Sequence, residues 1–286
     1  MSGDFKTTVI IVLYYPDAVA LAETVEAVLP AAAQVILADN TPPADYTEHL
    51  PLPGCLRINM GGNAGIAAAQ AEALLRAAEI GATHVLMLDQ DSCVQPGFLE
   101  AMESEYQRLE ASGATIFALG ATIVNSRSGA ADKALFDKGK SRADGFTERR
   151  QLISSGSLIN MAAVRETGLP ERGLFIDYVD FEWCWRAAIF GFKCFTTSRV
   201  ELEHTVGCGD IEAGAYRWVI SAPERYFYQF RNYFWLRRRD YVPMGWKWRT
   251  FLRMFFYFTY LPWGRRRAMS YWRNMWLGAC AGLKKA

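Results

Sequence analysis

Several things are scarce in this sequence, and each scarcity excludes something. Its six cysteines (55, 93, 184, 194, 208 and 280) are scattered with no CxxC pair. A chain of this length can fold without disulfide staples, so reduced thiols and a cytosolic setting are expected. Met1 to Lys6 show no basic stretch leading into an apolar one, so no secretory signal is evident. The longest aromatic and apolar run, Met254–Pro262, falls far short of the roughly 20 residues that a membrane-spanning helix needs. Glycines at 61, 62 and 65 do not make a GxGxxG dinucleotide fingerprint. No DNA- or RNA-binding module is recognisable, so nucleic acid is not the expected partner.

The chain does have an uneven charge distribution. A net charge of +1 over 286 residues conceals 15 Lys/Arg against 3 Asp/Glu in residues 211–286, and 16 against 27 before them. Seven of the nine tryptophans share the basic part. We therefore divide the chain into a globular domain at 1–210 and a basic, aromatic, helical region at 211–286. Aromatic side chains at headgroup level, with arginines for anionic lipid, suit a helix lying on a membrane. The same aromatics would also suit a homodimer interface.

In chain order, Thr8–Tyr15 is a continuous β-branched and apolar run that reads as a strand buried on both faces. A helical spacing over 18–29 follows, then a strand at Gln34–Asn40, a Gly61-Gly62-Asn63-Ala64-Gly65 turn and a helix over 66–80. Such a turn leaves N–H groups open to a phosphate, although it also serves as a plain helix entry. The rhythm is βαβ and implies a parallel sheet. Next comes the stretch that organises the rest, His84-Val85-Leu86-Met87-Leu88-Asp89-Gln90-Asp91-Ser92. Its apolar strand delivers two carboxylates, one residue apart and facing the same way, to the carboxyl end of the sheet, where α/β proteins bind ligands. They form half of an oxygen site for Mg²⁺ or Mn²⁺, or else a turn whose Asp91 or Ser92 caps the next helix.

A helix at 97–111 and a strand at 114–124 precede a polar segment, 125–151, which reads as a surface loop. Ser154-Ser155-Gly156-Ser157 is small enough for a ligand to approach its backbone. In Phe175–Arg186 the acids Asp177, Asp180 and Glu182 stand among bulky apolar residues, where they must be paired, capping or used. One reading is helix capping, with Glu182–Arg186 as an i,i+4 ion pair; the other is a desolvated carboxylate acting as a base. His204 is the only one of three histidines beside a late, Gly-containing turn.

Taken in order, Asp39-Asn40, Asn63-x-Gly65, Leu88–Ser92, Ser154-Ser155-Gly156, Phe175–Arg186 and His204-x-x-Gly207 resemble the family 2 glycosyltransferases of the GT-A fold. They look most like bacterial dTDP-rhamnosyltransferases of polysaccharide and O-antigen assembly, and the resemblance spans about residues 8–235. It implies an α/β fold with a mostly parallel nucleotide-binding sheet flanked by helices. It also implies an inverting, metal-dependent transferase that moves rhamnose from dTDP-L-rhamnose to a lipid-linked saccharide at the inner face of the cell membrane. Asp39, Asn63, Gly65, Asp89, Gln90, Ser155 and Gly156 would bind the nucleotide sugar. Asp91 and His204 would hold the metal, Asp180 would be the catalytic base, and Asp177, Glu182 and Arg186 would stand at or behind the acceptor. Asp177 and Asp180 both remain candidates to face that acceptor. Another nucleotide sugar, or an inactive membrane scaffold, is the alternative. A nucleotidyltransferase ranks lower, for want of a basic Gly loop after the first strand to grip a triphosphate.

Overall fold

The computed structural model describes residues 5–45, 52–125, 139–204, 210–213, 216–219, 221–261, 263 and 268–284; of Asn125, His204 and the residues between 210 and 219 only the backbone is described. The order of elements is β1 (Thr7–Leu13), α1 (Ala18–Val28), β2 (Gln34–Asp39), β3 (Cys55–Asn59), α2 (Ile66–Glu79), β4 (His84–Asp89), β5 (Ser92–Cys93) and α3 (Phe98–Glu110). There follow β6 (Ile116–Asn125), β7 (Lys140–Ser141), β8 (Phe146–Arg149), β9 (Ser157–Asn160), α4 (Met161–Thr167), α5 (Val179–Ile189) and β10 (Lys193–His204). A small hairpin, β11 (Asp210–Ala213) and β12 (Tyr216–Val219), leads to α6 (Pro223–Leu236), α7 (Met244–Tyr260) and α8 (Ala268–Leu283).

The main sheet runs β3-β2-β1-β4-β9-β6-β10-β8-β7, with β5 paired to β10. β3, β2, β1 and β4 are mutually parallel, β9 is antiparallel to both its neighbours, and β6 and β10 are parallel again. The central strands are buried on both faces, which is why they read as unbroken apolar runs. One face carries Val9, Ile11, Leu86 and Leu88 against α1 and α3. The other carries Ile10, Ile36, Val85 and Met87 against the small residues Ala69, Ala73 and Ala77 of α2 and against Trp183 of α5.

Two segments differ from the sequence expectation. The predicted surface loop 125–151 contains a hairpin in its described part: β7 pairs β8, and β8 pairs β10 from Cys194↔Arg149 to Thr197↔Phe146. The physical reason is Phe146, fully buried in the core with the Arg108 guanidinium 4.0 Å from its ring centroid. Residues 126–138 of that segment lie outside the description. Ser92 does not cap a helix; α3 starts after Gly97, and Ser92 belongs to a short strand bonded to β10.

The C-terminal helices share a core with the sheet domain. Tyr226, Phe230, Tyr233, Trp246 and Met275 pack with Leu174, Tyr178, Val179 and Trp185. α8 crosses α6 so closely that a Cβ on Gly278 would overlap the Phe227 carbonyl. The inner faces of these helices are thus apolar packing surfaces, and their arginines and remaining aromatics are left for other contacts.

Candidate active site

The carboxyl ends of β2, β1 and β4 bring two acids to either side of one strand. Leu13 of β1 pairs with Asp39 and Val12 pairs with Asp89. Asp39 is fully buried; its carboxylate is paired with Arg57 and accepts the Thr41 N–H at 2.8 Å. Arg57 comes from β3, the neighbouring strand, so this pair is built into the sheet register. Beyond β4, the Asp89 N–H donates to Ser92 Oγ (3.0 Å) and Ser155 Oγ (3.2 Å), and these hydroxyls lie 2.9 Å apart. The Gly156 N–H donates to the Met87 carbonyl at 2.8 Å. Gly156 has φ +74° and a Cβ there would lie 2.8 Å from Leu202, so this approach requires glycine. Gln90 is spent on the backbone, since its amide exchanges hydrogen bonds with the Tyr14 N–H (2.7 Å) and carbonyl (3.1 Å). These contacts fix the turn that presents Asp89, half-buried, and Asp91, exposed.

The Gly61–Gly65 turn is closed over. Asn63 Oδ1 accepts the Gly65 N–H at 3.1 Å, and buried Asn40 accepts from Ala64 (3.1 Å) and donates to the Gly65 carbonyl (3.3 Å). The first turn of α2 is not left open, because the Ala67 N–H donates to the Phe175 carbonyl at 3.2 Å. A Cβ on Gly65 would stand 2.5 Å from the Phe175 ring.

That contact joins the turn to the second acidic patch. Phe175, Asp177 and Tyr178 all have φ between +64° and +66°, an unusual conformation for residues with side chains. Strain of this kind persists only where neighbours over-determine it. Here Asn232 of α6, fully buried, donates to the carbonyls of Leu174 (2.9 Å), Ile176 (2.8 Å) and Asp177 (3.1 Å). Asp177 is held by Arg225, also of α6, in a two-pronged ion pair at 2.9–3.2 Å. Neither partner was apparent from sequence; the only available signal was an asparagine amid aromatics.

The strained turn sets α5 so that Asp180 and Glu182 face opposite environments. Among the described residues Asp180 meets no guanidinium; it accepts the N–H groups of Phe181 (2.9 Å) and Ser154 (3.3 Å). Desolvation, helped by the charge of Asp89, pushes its carboxyl up to about 7, against the pull of those N–H groups. Glu182, with no exposed surface, accepts from Arg186 (2.9 and 3.0 Å), Arg239 (3.2 Å) and the Tyr241 hydroxyl (2.7 Å). Arg186 also donates to the carbonyls of Thr167 and Leu169. These two residues bind α5 to α4 and the C-terminal region.

No protein-family model matches the chain. The dTDP-rhamnosyl transferase RfbF of Shigella flexneri is 26% identical in an alignment of 207 residues that covers 65% of this chain and 64% of that protein. The chain therefore spans less than two thirds of the length of this curated relative. Among solved structures, the mannosyltransferase PcManGT from Pyrobaculum calidifontis, in complex with GDP-Man and Mn²⁺, matches with a TM-score of 0.54 at 13% identity, over 98% of this chain and 75% of that one. S. aureus TarS 1-349 in complex with UDP matches with a TM-score of 0.58 at 12% identity, over 92% of this chain and 76% of that one. This chain has the GT-A glycosyltransferase fold.

Within this GT-A chain, Asp39, Asp89, Asp91, Ser155, Gly156 and Asp180 gather at the carboxyl edge of the sheet. The backbone of His204 also belongs there, since it pairs with Ser92, while its side chain and Gly207 lie outside the described residues. Asp89 and Asp91 fit Mg²⁺ or Mn²⁺ by donor type, hard oxygens with room left for phosphate and water. Among the described residues no three His, Cys, Asp or Glu side chains form a closed metal cage.

A cavity of about 310 Å³ opens beside this edge, floored by Gly120, Ser155 and Ser157 of the sheet region and roofed by Trp246, Thr250 and Arg253 of α7. Phe181, the residue after Asp180, is in its wall.

Proposed function

We propose that this chain is an inverting, metal-dependent glycosyltransferase that carries L-rhamnose from dTDP-L-rhamnose to a saccharide acceptor, lipid-linked, in cell-surface polysaccharide or O-antigen assembly. The observation that carries this reading is the meeting of Asp89, which has Asp91 two residues on, with a desolvated Asp180 at the carboxyl edge of a GT-A sheet. The choice of dTDP-rhamnose is supported by the similarity to RfbF. Bound Mg²⁺ or Mn²⁺, held by Asp91 with Asp89 and His204, would neutralise the charge that develops on the diphosphate leaving group.

The residues supply the remaining steps. Asp39, already set by Arg57 and Thr41, would take the nucleobase, with Asn63 and Gly65 in the closed turn beside it. Asp180 accepts the proton of the acceptor hydroxyl as the new C–O bond forms and the bond to the diphosphate oxygen breaks. A carboxyl with a pKa near 7 is partly ionised at neutral pH and basic enough for the task. Asp177 is engaged by Arg225 and positions the turn, which favours Asp180 as the base. A single displacement with one base opposite the leaving group inverts the anomeric centre, by analogy with inverting hydrolases. Calorimetric titration with dTDP and UDP, each with and without Mn²⁺, tests the reading. Metal-dependent binding that prefers dTDP is expected, and binding of neither nucleotide would overturn it.

The same reading puts the protein on the cytoplasmic surface of the membrane. Among the described residues, no helix is long and apolar enough to cross a membrane. Yet α7 exposes Trp248 (62%), Phe251, Leu252 and Phe255 (61%) along one face, and Trp263 (73%) follows. Monomeric soluble proteins rarely leave so large an apolar patch bare, and aromatics with flanking arginines suit the bilayer interface. Trp248→Ser with Phe255→Ser should release the protein from vesicles containing anionic lipid in a sedimentation assay, with the fold intact. Retained vesicle binding would overturn the assignment of this face, and a dimer that dissociates on substitution would identify it as a homodimer contact.

A further inference from the structure

The cavity beneath α7 has a composition of its own. α7 turns Trp246, Arg249, Thr250 and Arg253 toward it, the i, i+3, i+4, i+7 spacing of one helix face. Arg149 enters from the end of β8, so three guanidinium groups line one chamber, and none of the described residues lining it is acidic. Hydroxyls help to orient the chamber's cations: Arg149 Nε donates to Thr196 Oγ1 at 3.2 Å, and Arg253 donates to the Tyr178 hydroxyl at 2.9 Å. The remaining walls are apolar or small, including Leu152, Ile153, Phe181 and Trp246. The cavity adjoins the reaction edge directly, because Ser155 both lines it and accepts the Asp89 N–H. The Ser154 N–H next to it donates to Asp180.

We propose that this cavity is the acceptor subsite and that it selects an acceptor bearing an anionic group, bound by Arg149, Arg249 and Arg253. The inference rests on the glycosyltransferase reading above and adds the charge class of the acceptor. Guanidinium forks bind phosphate and carboxylate oxygens in charge-assisted pairs, and a partly desolvated chamber strengthens them. Apolar walls such as Phe181 and Trp246 would carry sugar faces or the first carbons of a lipid. The opposite face of the same helix is the exposed aromatic one, so an acceptor anchored in a bilayer would reach the chamber from the side where α7 would lie. Two sources of the charge share this chemistry: a phosphate linking the saccharide to its lipid, or a uronic acid within it.

The test is binding of three amphiphiles below their micellar concentrations to the full chain, without metal or nucleotide: octyl phosphate, octyl glucuronide and octyl glucoside. At least one charged probe should bind about tenfold or more tightly than the glucoside, the scale of a charge-assisted hydrogen bond. The phosphate arm against the glucuronide arm identifies the source. Arg249→Gln, at the exposed mouth, and Arg149→Gln should each erase most of that preference while dTDP binding with Mn²⁺ stays as in the parent. Equal binding of charged and neutral probes, or a preference that survives both substitutions, would overturn the inference. If dTDP still binds in that case, the inference alone falls; if dTDP binds nowhere, the glycosyltransferase reading falls with it.

Discussion

The two sides of the first turn of α5 carry acids two residues apart, and the protein treats them in opposite ways. On the front, Asp180 has backbone N–H groups and the nearby charge of Asp89 for company, and its proton is held up to a pH of about 7. On the back, Glu182 is more deeply buried yet bound by two guanidinium groups and a phenol. Burial without a cation raises the Asp180 carboxyl, whereas burial with cations makes Glu182 a structural joint. The turn at 175–178 decides which acid meets which environment.

The sharpest way to break this comparison is to remove the front acid. Asp180→Asn should lower kcat by about 10²- to 10⁴-fold, the usual worth of a positioned base, with donor affinity kept. Transfer assays under saturating donor read this directly, and turnover like the parent's would show that Asp180 is not the base. In the parent, kcat/KM should rise with pH through about 7, as the Asp180 proton is lost.

Removing the back acid should act on stability instead. Glu182→Ala leaves Arg186, Arg239 and the Tyr241 hydroxyl facing a hole, and breaking such a buried set costs about 3–5 kcal/mol. Denaturant titration should show that loss as a lower midpoint, and an unchanged midpoint would refute the joint. Asn232→Ala sits between the two cases. It strips donors from three carbonyls of the strained turn, a loss of about 1–3 kcal/mol. Because that turn aims Asp180, kcat should fall more than donor affinity does. A fall in stability with kcat kept would make Asn232 purely structural.

Much of this arrangement was legible in the sequence, and the reasons are local. The run Val85–Leu88 is apolar throughout because these residues of β4 are buried, so the two acids that follow it stood out. The alternation of parallel strand and helix through Glu79 was visible for the same reason. The short hairpin β7–β8 was not, since two to four residues carry too little periodicity, and only burial of Phe146 marks it. The division of labour between Asp180 and Glu182 was also hidden. It depends on positive φ angles at Asp177 and Tyr178, and on Arg225, Asn232 and Arg239, which lie about 50 residues on in a segment whose arginines read as surface charge. Local pattern reveals strands and the acids at their ends; the partners that decide what an acid does come from long-range packing.

The smallest expected effect is also the one that most directly tests what raises the Asp180 carboxyl, on which its proposed role as base depends. A carboxyl whose folded pKa is raised binds its proton more tightly in the folded than in the unfolded chain between pH 4 and 7. Its contribution to stability is therefore fully present below the unfolded pKa and is lost as pH rises through about 7, where a desolvated charge must be kept. The amide introduced by Asp180→Asn carries no such charge at any pH, so the melting temperature of this variant relative to the parent should climb as pH goes from 4 to 8. The change should be on the order of 1 kcal/mol, because the carboxyl still has some access to solvent. Thermal scans of both proteins across that range measure it, without metal or nucleotide. A difference that stays flat with pH would mean that the Asp180 proton is not held by desolvation, and would move the origin of its basicity to the bound substrates.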